Sequence, residues 1–85
     1  MNKKKIYEIL EKMILALEQG NHSQIKLLND KYDILTVTAY SNPPTMLDLQ
    51  FDNCRQFCFM ASLVPDSKHV EEIRNLFERL PKPKF

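Results

Sequence analysis

A single glycine, Gly20, stands in the 85 residues, and that scarcity excludes more chemistry than any other feature of the chain. Phosphate-cradling loops and dinucleotide-binding turns need glycines where the backbone must approach an anion closely. An oxyanion hole of backbone amides in a tight turn is disfavoured for the same reason. Only two cysteines occur, beside four methionines and abundant lysine, which fits a reducing interior better than a disulfide-stapled secreted scaffold. An excess of either charge is also missing: 12 Lys and Arg against 11 Asp and Glu leave a formal charge of +1, with no field to gather nucleic acid. No apolar run approaches the roughly 18–20 residues that cross a bilayer. The amino terminus MNKKKIYEILEKM interrupts its apolar positions with Glu8, Glu11 and Lys12, so neither a signal peptide nor an anchor is expected. What is there, 44% apolar and 27% charged residues, suffices for one small core in one cytoplasmic domain, 1–85, with little room for a deep cleft.

From Lys3 to Gln19 the residues Ile6, Ile9, Leu10, Met13, Ile14 and Leu17 recur at helical spacing, while Lys5, Glu8, Glu11 and Lys12 take the other faces. Gly20 follows, where a left-handed cap is expected to end the helix. Residues 21–32 are ambiguous. Ile25, Leu28 and Tyr32 suit a short helix with Asn21 as cap and Gln24 completing a capping box. The competing strand SQIKLL, with a turn at Asn29-Asp30, is favoured by a small margin.

The β-branched alternation of DILTVTAY, residues 33–40, predicts a strand. TMLDLQF, residues 45–51, predicts its hairpin partner across Ser41-Asn42-Pro43-Pro44, because proline cannot continue a ladder. A third strand from FDNCRQFCFMASLV presents Phe57, Phe59, Ala61 and Leu63 on one face. Cross-strand parity supports the set: loops 42–44 and 52–54 oppose Ala39 to Leu47, Val37 to Leu49, Leu49 to Phe57 and Leu47 to Phe59, all on one side. After Pro65, Asp66 and Ser67, either of the last two able to cap, Val70, Ile73, Leu76, Phe77 and Leu80 form the stripe of a second amphipathic helix. Residues 81–85, PKPKF, make a loose basic tail. The expected fold class is therefore α+β: an antiparallel meander of three or four strands with the N- and C-terminal helices packed on one face.

Candidate sites are few. On a strand, Cys54 and Cys58 lie about 13 Å apart, beyond the reach of a disulfide or a shared zinc, so they read as ordinary thiols. They could meet only if the segment were helical. His22 and His69 belong to no ligand spacing and are expected in solvated positions. Asp48 could pair with Glu8 or Glu11 as acid and base only if the first helix crossed the sheet's outer side. No enzyme, cofactor or metal is therefore expected. Lys3, Lys4, Lys5, Lys82 and Lys84 form basic ends without the aromatic platform that single-strand binding requires.

With both helices on the inner face, Thr36, Thr38, Tyr40, Met46, Asp48, Gln50, Gln56, Cys58 and Met60 would face outward. Tyr and Met are enriched on binding surfaces. The expected function is a protein-binding module using Tyr40, Met46, Asp48, Gln50 and Met60, with Asp30, Asp33 and Asp52 available to a basic partner. Its size and simplicity are those of stoichiometric toxin or nuclease inhibitors, such as bacterial immunity proteins and phage-encoded inhibitors, by analogy of type alone. A homodimeric adaptor and a weak nucleic-acid binder are the alternatives.

Overall fold

A computed structural model describes residues 3–64 and 69–81, and the regular secondary structure in these is entirely helical: α1 (Lys3–Glu18), α2 (His22–Ala39), α3 (Met46–Ser62) and α4 (Val70–Glu78). No strand occurs among the described residues, so the antiparallel meander and the α+β class are overturned. α1 and α3 form a central pair, each packing against all the other helices, while α2 and α4 flank them without meeting.

The first turn of chain direction is made as expected. Gly20 adopts φ +72°, and the Asn21 amide reaches the Ala16 carbonyl at 2.8 Å while the Gly20 amide reaches Leu17 at 3.1 Å. This pair of bonds is a Schellman ending, which satisfies carbonyls that an α-helix leaves open. Asn21 then caps α2, its side chain accepting from the Gln24 amide at 3.4 Å. One residue thus closes one helix and starts the next, and α1 and α2 fold back on each other.

The segment 22–39 is one helix because burial follows the 3.6-residue period: Ile25, Leu28, Asn29, Tyr32 and Ala39 are buried, and Leu35 packs against them. The β-branched residues that predict a strand point to solvent instead, with Ile34 72% and Val37 83% exposed. Thr36 and Thr38 bond back to the carbonyls of Asp33 and Leu35 at 2.7 and 3.4 Å, which accommodates their hydroxyls within a helix.

α3 begins with a reciprocal capping box. The Asp48 amide donates to Thr45 Oγ1 at 3.2 Å and the Thr45 amide donates to Asp48 Oδ2 at 3.0 Å. Its inner face is Asp48, Phe51, Cys54, Cys58 and Ala61, again a helical series. The cross-strand register accordingly fails: of the residues assigned to the sheet's inner face, Val37, Leu49, Phe57 and Leu63 are exposed.

α4 buries Ile73 and Phe77, with Leu80 following, and Val70 and Leu76 half-buried, the stripe expected from the sequence. Phe77 stacks on Tyr7 of α1 at 5.0 Å between ring centroids, and Tyr7 also meets Phe51 edge-on at 6.5 Å. Arg74 holds the carboxylate of Glu18 with two bonds, Nε at 3.0 Å and an outer nitrogen at 2.5 Å. Asp66, Ser67 and all but the first residue of the basic tail 81–85 lie outside the described residues.

Candidate interaction surface

Burial holds the two interior thiols in their protonated form. Cys54 and Cys58 are fully buried on the inner face of α3, one turn apart, so helical spacing brings together the thiols that a strand would separate. Burial pushes the Cys54 thiol up to about 11 and Cys58, with Cys54 beside it, up to about 12. Both therefore remain protonated at neutral pH, and a protonated thiol is neither nucleophile nor metal ligand. Among the described residues no three His, Cys, Asp or Glu side chains stand close enough to hold a metal ion.

Between α2 and α3 runs a chain of polar side chains. The hydroxyls of Tyr32 and Tyr40 bond to each other, and Tyr40 reaches Asp52 Oδ1 at 3.5 Å. Arg55 bonds Asp52 at 2.7 Å and Asn29 at 3.3 Å, with its guanidinium 5.6 Å from the centre of the Tyr32 ring. Burial pushes the Tyr40 phenol up to about 12 and raises Tyr32 further, so both act as neutral hydrogen-bonding groups. The Arg55 Nε is buried with no partner.

Asp48 is the most constrained acid. Its side chain has no exposed surface, and Lys3 Nζ lies 2.5 Å from Oδ1 while the Ser41 and Thr45 amides reach Oδ2 at 2.9 and 3.0 Å. Burial alone would raise its pKa, but the Lys3 ammonium and these donors outweigh it and hold the carboxyl at about 2. Lys3 also approaches Ser41 Oγ at 3.5 Å. The first of the basic N-terminal residues is thus engaged internally.

The residues expected to form one binding face separate into three places. Tyr40 and Asp48 point inward, as described, and Asp52, partly exposed, bonds Tyr40 and Arg55 on one side and accepts from Gln56 Nε2 at 3.4 Å on the other. Asp30 and Asp33 are exposed on α2. Met46, Gln50 and Met60 share the outer face of α3 with Gln56, also expected outward, and are joined there by residues that the strand pattern assigns to the core or to loops, Leu49, Asn53, Phe57 and, just beyond the helix end, Leu63, with Val64 following. His22 opens α2 and is exposed; His69 precedes α4, and its Nδ1 lies 3.1 Å from Glu72.

This outer face is unusual in what it carries. Its apolar members are from 47% exposed at Phe57 to 71% at Met46, and no exposed residue of α3 bears a formal charge. The two charged side chains of α3 besides Asp48, Asp52 and Arg55, pair with each other. A groove of about 930 Å³ runs beside the face toward α4, with Phe57, Met60, Ala61, Val64, Ile73 and Leu76 as its apolar lining and Glu72 and Arg79 among its polar residues. A helix that is apolar on both sides is expected to have both sides covered. The spacing of Met46, Leu49, Phe57 and Met60 relative to the Thr45–Asp48 box is the signal from which this face was readable. No helix of the described residues is long and apolar enough to cross a membrane. No protein-family model, curated protein or solved structure matches the chain.

Proposed function

We propose that the chain is a protein-binding module of a reducing, cytoplasmic compartment that works by covering a partner's surface stoichiometrically, in the manner of an inhibitor of a toxin or nuclease. The observation that carries this reading is the uncharged, apolar outer face of α3 with the groove beside it. Exposed apolar surface of this extent favours association, and depletion of charge with enrichment of Phe and Met characterises interface centres. The perturbed interior groups support the same view from the other side, since Tyr32, Tyr40, Cys54 and Cys58 are all shifted away from reactivity at neutral pH. Activity then consists in binding, and the helix-in-groove mode is the one the surface fits.

The test uses the tagged full chain expressed in the cells that encode it. Wild type and Met60→Lys are compared for proteins that co-purify at equimolar amounts. A partner retained by wild type and reduced at least tenfold by the variant is the expected result. Equal retention by both would remove the α3 face from the proposal.

A further inference from the structure

The outer face of α3 has an internal order that its apolar character alone does not require. Met46, Leu49, Asn53, Gln56, Met60 and Leu63 follow one another at intervals of 3, 4, 3, 4 and 3 residues, and all six are exposed. Alternation of 3 and 4 is the seam of two helices packed along their length. The order of side chains along this seam is also the same read from either end: two apolar residues, two amides, two apolar residues.

We propose that the occupant of this seam is a second copy of the chain, its α3 packed antiparallel against the first about a two-fold axis that passes between Cys54 and Arg55. The proposal rests on α3's outer face being the docking surface and names what covers it. In that register Met46 meets Leu63 of the other copy, Leu49 meets Met60, and Asn53 meets Gln56. Apolar groups face apolar groups. At the centre each amide offers both donor and acceptor to the other, so an Asn–Gln pair is satisfied without a charge.

Charge separates a second copy from a partner recruited by charge complementarity. A surface that docks on a different protein gains speed and selectivity from complementary charge. A two-fold surface cannot use a single charge near its axis, because the same charge comes back from the other copy. The six seam residues carry no formal charge in a chain where 27% of residues are charged, and the nearest carboxylate, Asp52, which accepts from Gln56 Nε2 at 3.4 Å, is neutralised by Arg55 of its own helix, so the seam meets the second requirement and forgoes the first. One central polar layer also fixes the register, as buried amides do in paired helices.

A seam of five turns sits at the low end of specific interfaces, below about 800 Å² per copy, so the dimer is expected to be reversible in the micromolar range. A partner that uses the same face must then displace one copy.

The experiment is sedimentation of the full chain from about 1 to 500 µM, a range bracketing that affinity. Mass should double with concentration. Asn53→Lys/Gln56→Lys places four lysines at the axis, and Asn53→Glu/Gln56→Glu places four acids there. Each should remain monomeric with wild-type helix content, while an equimolar mixture of the two should recover the dimer mass. Wild type that stays monomeric overturns the inference, as does dimerisation of both double variants or failure of the mixture to pair. If wild type is monomeric and Met60→Lys still loses a captured partner, the second copy is rejected while the docking face stands. If Met60→Lys loses nothing, the docking face itself falls.

Discussion

α1 and α3 are the two central helices, nearly equal in length at 16 and 17 residues, and they treat solvent in opposite ways. The outward positions of α1 carry Lys4, Lys5, Glu8, Glu11, Lys12 and Glu18, with Leu15 as the exposed apolar exception. The outward positions of α3 carry thioethers, aliphatics, one ring and amides. Both bury one stripe in the same core, so the difference is not required by the fold. α1's outer face is built for water, and α3's is built for contact. The same difference decided what could be read from sequence, because charge on the outer face is what makes helical periodicity visible.

The sharpest way to break this comparison is to ask which side of α3 a reagent can touch. At pH 8 a disulfide reagent should label Cys54 and Cys58 at least a thousandfold more slowly in the native chain than in urea, since both thiols are buried and protonated and labelling must await unfolding. In Met60→Cys the new outward thiol should react within the mixing time. Rapid labelling of Cys54 or Cys58 in the native chain would show that the inner face is open.

Truncation of rings gives the next largest contrast. Phe51→Ala removes a fully buried side chain that meets Tyr7 and should lower unfolding stability by about 3–5 kcal/mol, while Phe57→Ala on the outer side should stay within about 0.5 kcal/mol under monomeric conditions. Urea unfolding at low protein concentration measures both. Equal losses would erase the distinction between the faces.

The smallest of the three effects concerns pH. Because the folded pKa of Asp48, about 2, lies below its ordinary 3.8, its contribution is complete above pH 3.8 and is lost as pH falls through about 2. The loss should amount to about 2 kcal/mol, since each tenfold change in proton affinity is worth about 1.4 kcal/mol. Asp48→Asn should lower stability by a similar amount at pH 7, about 2 kcal/mol, and flatten that part of the pH profile. A variant profile parallel to wild type would assign the acid sensitivity to another carboxylate.

The outer two helices in chain order were legible, and so was the ending of the first at Gly20. α1 and α4 place charges opposite their apolar stripes, and Gly20 had no competing use. The middle of the chain was not, for two physical reasons. In 33–40 the residues with highest strand preference, Ile34, Val37 and Thr38, take no part in the core, so propensity pointed one way and burial the other. In 45–64 apolar residues lie on both sides of the helix, and a two-sided apolar helix also yields alternating pairs at every second position. Local cap chemistry separates the readings. Asn21 with Gln24 supports a helix over the strand that their segment also suits, and Thr45 with Asp48 marks a helix start that a strand at 45–51 cannot explain. Of the expected binding residues, Met46, Gln50 and Met60 fall on the exposed face for a helical reason, whereas Asp48 is the innermost acid of the molecule.

The two ties at the ends of α1 carry a consequence for the order of assembly. Lys3 finds Asp48 across 45 positions of chain, and Glu18 finds Arg74 across 56. During synthesis α1 emerges before the other three described helices, turns back on α2 through Gly20 and Asn21, and still waits for both clamps. Its leading end is fastened when the start of α3 arrives, and its trailing end only when α4 does. The earliest of the four described helices is thus the last to receive its long-range ties, and a chain halted before residue 48 would hold an α1 closed by its own turn at Gly20 but with neither distant clamp in place.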